Sequence, residues 1–442
     1  METPSWTVVL LGAFGLYILS LIITAIYNVC FHPLAKFPGP KIAVIGPWMG
    51  GTSGKLRRCT RNMVPVFAST HKNSRARRGY MNKYFSKRNM SSLEPLVQER
   101  LDRLCSRIDE RLKTGETLNL DGCFSALTGD VITRLLYGNN FDYLGSPDFQ
   151  FVVRNAFMGF SKMYHLARFI PLAVKILKLM PLPVIQLIAP PVAELQQLRA
   201  EIAENGYKKF HADKWDVEEK KSVIVSSLND ESIPPAERTV DRLVDEGTVI
   251  LLAGTDTTSR SLAVTMYYLL SNPDCLAWMR HELETSLSFN KDHVYDLGQL
   301  EKLPYLIGVI HEGFRLSFGP VSRMPRISTQ DSLQYNEWSI PPGATVSMST
   351  MFMHLDENIY PNPTKYDPER WIRATKQAWP TPSFMTLARI VLTYDMELYN
   401  TTDKDIEIHH ASIVGYPKKS SNPNFGHIIV KVTGKRALPA AA

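Results

Sequence analysis

No cysteine follows Cys275 in this chain of 442 residues, and the five present, at 30, 59, 105, 123 and 275, form no CxxC pair. That spacing excludes a disulfide framework and a CxxC zinc site, and it fits a reducing compartment. Acidic residues are missing between Glu2 and Glu94, and charge of either sign is missing from Thr3 to Ala35. Strand-like alternation is scarce, and there is no internal repeat, low-complexity tract or clear second domain boundary. Disorder is excluded as well, because 44% of the residues are hydrophobic, enough for a sizeable core.

The charge-free N-terminus contains "VVLLGAFGLYILSLIITAIYNVC", about twenty apolar residues, the length a helix needs to cross a bilayer. A membrane anchor over Val8 to Cys30 is expected. A cleaved signal peptide needs a basic start and a shorter apolar core, and Glu2 is the only early charge. Lys and Arg then accumulate at 36, 41, 55, 57, 58, 61, 72, 75, 77, 78, 83, 87 and 88. By the positive-inside rule the body is expected in the cytoplasm. Nucleic-acid binding is the other reading of such a segment. Beside a membrane span, anionic lipid head groups or an acidic partner suit it better, so no nucleic-acid partner is expected.

After the anchor, the three prolines and the glycine of "HPLAKFPGPK" forbid helix and give an extended spacer. The next stretch, "GPWMGGTSGKLRRC", fails as a phosphate-binding loop: Met49 stands at the first glycine position and Leu56 where Ser or Thr must follow the lysine. From Leu93 the apolar residues at 93, 96, 97, 101, 104, 108 and 112 mark one helical face that ends near Gly115. Further helices are predicted at about 122–137, 191–210, 241–271 and 304–316. In "WSIPPGATVSMS", Ile340 and Val346 flank a Pro-Pro-Gly turn and predict a short hairpin. The fold class is mainly α with a small β portion.

The segment "EGTVILLAGTDTTSRSLAVTMYYLLSNP" is apolar nearly all round at both ends, which predicts a helix through the core. Its middle contradicts that setting. Gly254 costs about 1 kcal/mol relative to alanine inside a helix, and Asp256, Thr257 and Thr258 become buried polar groups that need partners. One reading is a helix with a satisfied polar patch. The other is a loosened turn that leaves room for a flat ligand and places an acid and a hydroxyl for proton delivery. Two smaller signals follow. Glu312 and Arg315 in "HEGFRLSFGPVSRMPRI" stand at i, i+3, and Arg370 in "YDPERWI" can offer a planar fork to the same carboxylate.

In this order the pieces resemble the cytochrome P-450 family of haem-thiolate monooxygenases, of the membrane-anchored fungal type. "AGTDTT" looks like that family's long helix over the distal face of haem, and "EGFR" with "PERW" looks like its Glu-Arg-Arg cluster. The tail "DMELYNTTDKDIEIHHASIVGYPKK" looks like the C-terminal strands of fungal members. The resemblance covers the anchor and most of the chain from about residue 67 to 434.

It implies that Asp256 and Thr257 are the acid and alcohol that deliver protons, and that Ala253 and Gly254 are the small residues beside the oxygen pocket. It implies Arg326 and Arg78 as partners of the haem propionates; Ser74 stands where an aromatic or histidine partner of Arg78 is usual. It implies Glu312, Arg315 and Arg370 as a structural triad. Haem is the implied cofactor, and O2, a small apolar organic substrate, membrane lipid and an NADPH-dependent reductase are the implied partners. The implied setting is the endoplasmic reticulum membrane, in fungal secondary metabolism.

The sequence also departs from that pattern. The family holds its iron by a cysteine on a loop of the form F-x-x-G-x-x-x-C-x-G after "PERW". Here only "IRATKQAWPTPS" separates "PERW" from "FMTLARIVLTYDMEL", so the loop is missing near 373–383 and no metal ligand is assigned. A histidine such as His354 or His409 is the remaining candidate for iron, and a lone histidine is more often structural. A second shortfall precedes "FASTHKNSRARR", where relatives place their first strands and the loop over the substrate. The expected organisation is an anchor over 1–30, a hinge and shortened basic segment over 31–66, and an incomplete catalytic domain over 67–442. A non-catalytic anchored protein and a misassigned gene structure are the rival readings.

Overall fold

The computed structural model describes residues 71–374 and 383–436, except 83, 139–140, 148, 150–151, 170–175, 178, 211–221, 229, 288–296, 324, 419, 421 and 423–425, together with parts of 15–31. The main helices are α1 (His71–Asn82), α2 (Glu94–Thr114), α3 (Leu120–Tyr137), α4 (Val152–Phe169) and α5 (Pro190–Phe210). They continue with α6 (Val240–Ser271), α7 (Pro273–Ser286), α8 (Pro304–Ser317), α9 (Glu369–Ala374) and α10 (Ser383–Thr393). The strands, β1 (Thr117–Asn119), β2 (Arg326–Ile327), β3 (Leu333–Tyr335), β4 (Trp338–Ile340), β5 (Thr345–Val346), β6 (Tyr394–Leu398), β7 (His410–Ala411), β8 (Gly415–Tyr416) and β9 (Ile429–Lys435), are short. A mainly helical fold with small sheets is what the sequence pattern anticipates.

Helix α2 buries Val97, Leu101, Leu104 and Ile108, the face that its apolar spacing marks out. The Asn119 side chain caps α3 by accepting from the Gly122 N–H at 3.2 Å, and the Thr239 hydroxyl caps α6 by accepting from Arg242 N–H at 3.3 Å. Helix α6 is the axle of the molecule. It packs against α3, α4, α5 and α8, and buries Leu251, Leu252, Leu262, Val264, Met266 and Leu269. Each such side chain contributes about 1.5–3 kcal/mol when fully buried, which is why an apolar helix of this length ends in the interior.

The C-terminus is tied back by an antiparallel sheet of order β1-β9-β6, in which Leu118 faces Val430 and Leu398 faces the same residue from the other side. Gly308 permits a second closure. A Cβ there would stand 2.5 Å from the Pro368 carbonyl oxygen, so only glycine lets α8 lie against the approach to α9.

The predicted hairpin around Pro341 does not form. Strand β4 pairs with β3, and β5 pairs with β2, so Ile340 and Val346 belong to different ladders. Pro341 and Pro342 have no N–H to donate across a ladder, and Gly343, at φ 82°, turns its N–H to the Ser328 carbonyl at 2.7 Å.

Of the expected anchor over Val8 to Cys30, the described residues within 15–31 are almost all helical, with Leu16, Leu19, Ile22, Ile23, Ile26 and Tyr27 exposed. Among the described residues no helix is long and apolar enough to cross a membrane. The hinge over 31–66, apart from Phe31, and positions 375–382 of the expected loop lie outside the described residues.

Candidate active site

Helix α6 runs unbroken through Ala253, Gly254, Asp256 and Thr257, so the expected loosening at this turn does not interrupt the helix. The Thr257 hydroxyl donates to the Ala253 carbonyl at 2.8 Å, one turn back, and the helix continues past that bond. Gly254 serves packing. A Cβ on it would meet the Ile132 Cδ1 of α3 at 2.6 Å. Ala253 is exposed, and Thr257 and Thr258 are half-buried. The hydroxyl of the buried Thr255 has no hydrogen-bond partner among the described residues.

Asp256 is 5% exposed, and burial pushes its carboxyl up to about 6, against the pull of the Arg154 and Arg260 guanidinium groups. Asp121, at the start of α3, is as deeply buried and titrates in the opposite sense. Burial opposes its charge, but Arg260 and Arg154 hold it well below the usual carboxylate range. Arg154 Nη1 donates to Asp121 Oδ1 at 2.9 Å, Arg260 Nη1 to the same oxygen at 3.0 Å, and Ile428 N–H to Oδ2 at 2.8 Å. His427 stands beside this group, and burial lowers its imidazole to about 4. Two buried aspartates thus share one pair of arginines, with one kept ionised and the other raised towards neutrality.

Asp256, Thr257, Arg154, Arg260, Ser261 and Tyr416 line a cavity of about 30 Å³ between α4, α6 and the β7–β8 hairpin. A water needs about 10–15 Å³ of such space, so the cavity takes two or three waters and not a flat ligand.

The second cluster is complete. Glu312 on α8 receives Arg315 Nη2 on Oε1 at 2.7 Å and Nε on Oε2 at 2.9 Å. Arg370 Nε on α9 donates to Oε1 at 3.0 Å, Trp371 Nε1 to Oε2 at 2.8 Å, and Asp367 N–H to Oε1 at 3.1 Å. The remaining donors of Arg315 reach the carbonyls of His354 at 2.8 Å and Pro363 at 2.6 Å. Every polar edge in this cluster therefore has a partner.

The remaining candidates are dispersed. Arg326 is exposed on β2, where Nη1 donates to the Pro325 carbonyl, and Arg78 is exposed on α1. Its neighbour Arg77 makes the α1 contact, forking onto Glu237 at 2.9 Å on both carboxylate oxygens. The spacing in the sequence gives no sign of Asp121, Arg154 and Arg260 as a group, since they stand 33 and 139 positions apart. The one hint is an acid in the first turn of a capped helix, and it points to helix chemistry instead.

The cytochrome P-450 family profile matches residues 53–388. The chain belongs to the cytochrome P-450 family. It is 43% identical to the cytochrome P-450 monooxygenase TRI4 of Fusarium sporotrichioides over 483 aligned positions, which take in 92% of each chain. It is 43% identical to TRI4 of Trichoderma arundinaceum, covering 92% of this chain and 94% of that one. It is 40% identical to the cytochrome P-450 monooxygenase SAT11 of Stachybotrys chartarum, covering 95% and 94%. An alignment of 483 positions exceeds the 442 residues of this cytochrome P-450, so the Fusarium relative carries stretches that this chain lacks.

By family the chain is an oxidoreductase of the monooxygenase type, and haem iron is the implied cofactor. Among the described residues the cysteines do not fit iron ligation. Cys105 and Cys123 are buried in α2 and α3, where burial pushes both thiols up and disfavours the thiolate; Cys30 is exposed and Cys275 half-buried at the start of α7. Among the described residues no group of three His, Cys, Asp or Glu could hold a metal ion. His354 turns Nδ1 to the Arg315 carbonyl at 2.9 Å, and His409 is paired with Glu407 at 3.4 Å, so each already has a partner.

Proposed function

We propose that this chain is a haem-dependent monooxygenase of small apolar metabolites by descent, of fungal secondary metabolism, whose oxygen insertion is impaired in this form. The family's chemistry takes one oxygen atom from O2 and electrons from NADPH through a membrane-bound reductase. Residues 1–30 anchor the body to the cytoplasmic side of the endoplasmic reticulum membrane in this reading. Asp256 and Thr257 are the acid and alcohol of the distal turn, with Ala253 and Gly254 beside them. Arg326 and Arg78 stand for the propionate partners, and Glu312, Arg315 and Arg370 hold the fold. Asp256, raised to about 6 beside a small cavity, has the titration a proton donor needs near neutral pH.

The observation that carries the impairment is the absence of any cysteine after Cys275, with twelve residues between "PERW" and the stretch that opens into α10. Expressed with haem supply, solubilised and reduced under carbon monoxide, the protein is expected to give no thiolate-type Soret band. A clear thiolate band would overturn the impairment. Sequencing of the transcript separates a real loss from a misassigned gene structure: a recovered cysteine loop restores full activity to the reading. The same missing cysteine favours the second reading, a non-catalytic anchored protein that keeps the helical body, and retention of the short transcript supports it.

A further inference from the structure

Asp121 and Asp256 stand among the same two arginines, yet only Asp121 receives them. Arg154 Nη1 and Arg260 Nη1 both donate to Asp121 Oδ1, and among the described residues neither arginine forms an ion pair with Asp256. The backbone decides which carboxylate wins. Asp121 lies in the first turn of α3, and its Oδ2 also receives the Ile428 N–H at 2.8 Å. Asp256 lies in the middle of α6, where the backbone N–H groups are spent on the helix itself, and among the described residues no hydrogen bond reaches its carboxyl.

The two arginines are not held alike. Arg260 is tied to Asp121, to the Gly426 carbonyl at 3.0 Å and to the Asp405 carbonyl at 2.9 Å. Arg154 makes its Asp121 bond alone among the described residues. It lines the same small cavity as Asp256, whose charge already acts on its guanidinium. The other ionisable groups here carry no charge near neutral pH. Burial keeps the Tyr416 hydroxyl of β8 protonated, and it keeps the imidazole of His427, 3.9 Å from Asp121, neutral. Among the described residues, Arg154 is therefore the cation placed to change sides.

We infer that Asp121 is a positioning residue for Asp256: by holding Arg154 it keeps the Asp256 carboxyl clear of an ion pair and open to the cavity, able to take up and release a proton. The inference rests on the reading of Asp256 as the proton donor. An Asp256–Arg154 pair would favour the ionised carboxylate and remove that donor.

The proton on Asp256 is read in the full chain, in mild detergent and with no haem required, from the infrared carbonyl stretch of the protonated carboxyl, identified by its loss in Asp256→Asn. The wild type is expected to lose that band as pH rises through about 6. Asp121→Asn leaves Asp256 as the only carboxylate beside Arg154 among the described residues. It is expected to bring the midpoint down to about 4, an affinity for the proton lower by about a hundredfold. Made in an Arg154→Met chain, the same substitution is expected to move the midpoint by less than about half as much, because no Arg154 is left to release. Loss of the Asp121 charge alone would move both backgrounds equally. Arg154→Met by itself keeps Asp121 on Arg260 and serves where Asp121→Asn does not fold. Its midpoint is expected to rise by less than about one pH unit, the effect of losing a nearby charge and not a partner. An unchanged midpoint in folded Asp121→Asn, equal shifts in the two backgrounds, or a rise of about two pH units or more in Arg154→Met overturns the inference. The band does not depend on haem, so these outcomes stand apart from the Soret test of the monooxygenase reading.

Discussion

Glu312 and Asp256 are both buried carboxylates at the heart of this fold, and they differ in what surrounds them. Glu312 accepts five hydrogen bonds, from Arg315 twice, Arg370, Trp371 and Asp367. Asp256 lies at the wall of a small cavity, and the arginines nearest to it donate to Asp121 and, from Arg260, to the Gly426 and Asp405 carbonyls. A carboxylate with every lone pair used locks two helices together. One buried without that supply of donors has its titration pushed up to about 6. Burial alone therefore separates neither class; the supply of donors does.

The comparison breaks first at its strong side. Glu312→Ala leaves two buried guanidinium groups without their carboxylate, and is expected to cost about 3–5 kcal/mol, seen as a large fall in the urea midpoint or loss of folded protein. An unchanged midpoint would mean that the cluster is decoration.

The two aspartates then offer opposite signs. Asp121 has its folded titration depressed, so its stabilisation is present above the unfolded value and is lost as pH falls through the folded one. Asp121→Asn is expected to cost about 3 kcal/mol at neutral pH, with the gap to wild type closing below about pH 4. Asp256 has its folded titration raised, so its contribution is full below the unfolded value and is lost as pH rises through about 6. Asp256→Asn is accordingly expected to stabilise the protein by about 2 kcal/mol near pH 8, with no difference from wild type below about pH 4. Urea midpoints over that pH range read both curves, and parallel curves for the two variants would remove the distinction drawn between them.

The smallest effect concerns the glycine of the same turn. Gly254→Ala gains helix propensity but presses on Ile132, and the balance is expected to fall within about 1 kcal/mol of wild type. Adding Ile132→Val frees space and is expected to make the pair more stable than Ile132→Val alone. Thermal unfolding of the four proteins of that cycle measures it.

Much of the architecture is legible in local pattern. The apolar face of α2, the long apolar α6, and the i, i+3 pair on α8 depend on neighbours within one or two helical turns, which fix periodicity and therefore shape. The hairpin misread at Pro341 shows where that stops, since pairing depends on which distant strand offers a partner, and β2 and β3 offered better ones than β4 and β5 offer each other.

The site divides in the same way. The residues of the Asp256 turn, and of the cluster that joins Glu312 to Arg370 across 58 positions, are visible in the sequence as motifs. That the first turn runs as unbroken helix beside a cavity of about 30 Å³, and that Arg154 and Arg260 converge on Asp121, is invisible there. Sequence alone determined the helical class, the acid and hydroxyl at 256 and 257, and the absence of cysteine after Cys275, because each depends only on residue type and spacing. Tertiary structure alone decided which buried charge is satisfied and which is not, because donors come from whatever segments the packing of remote helices brings within three ångströms.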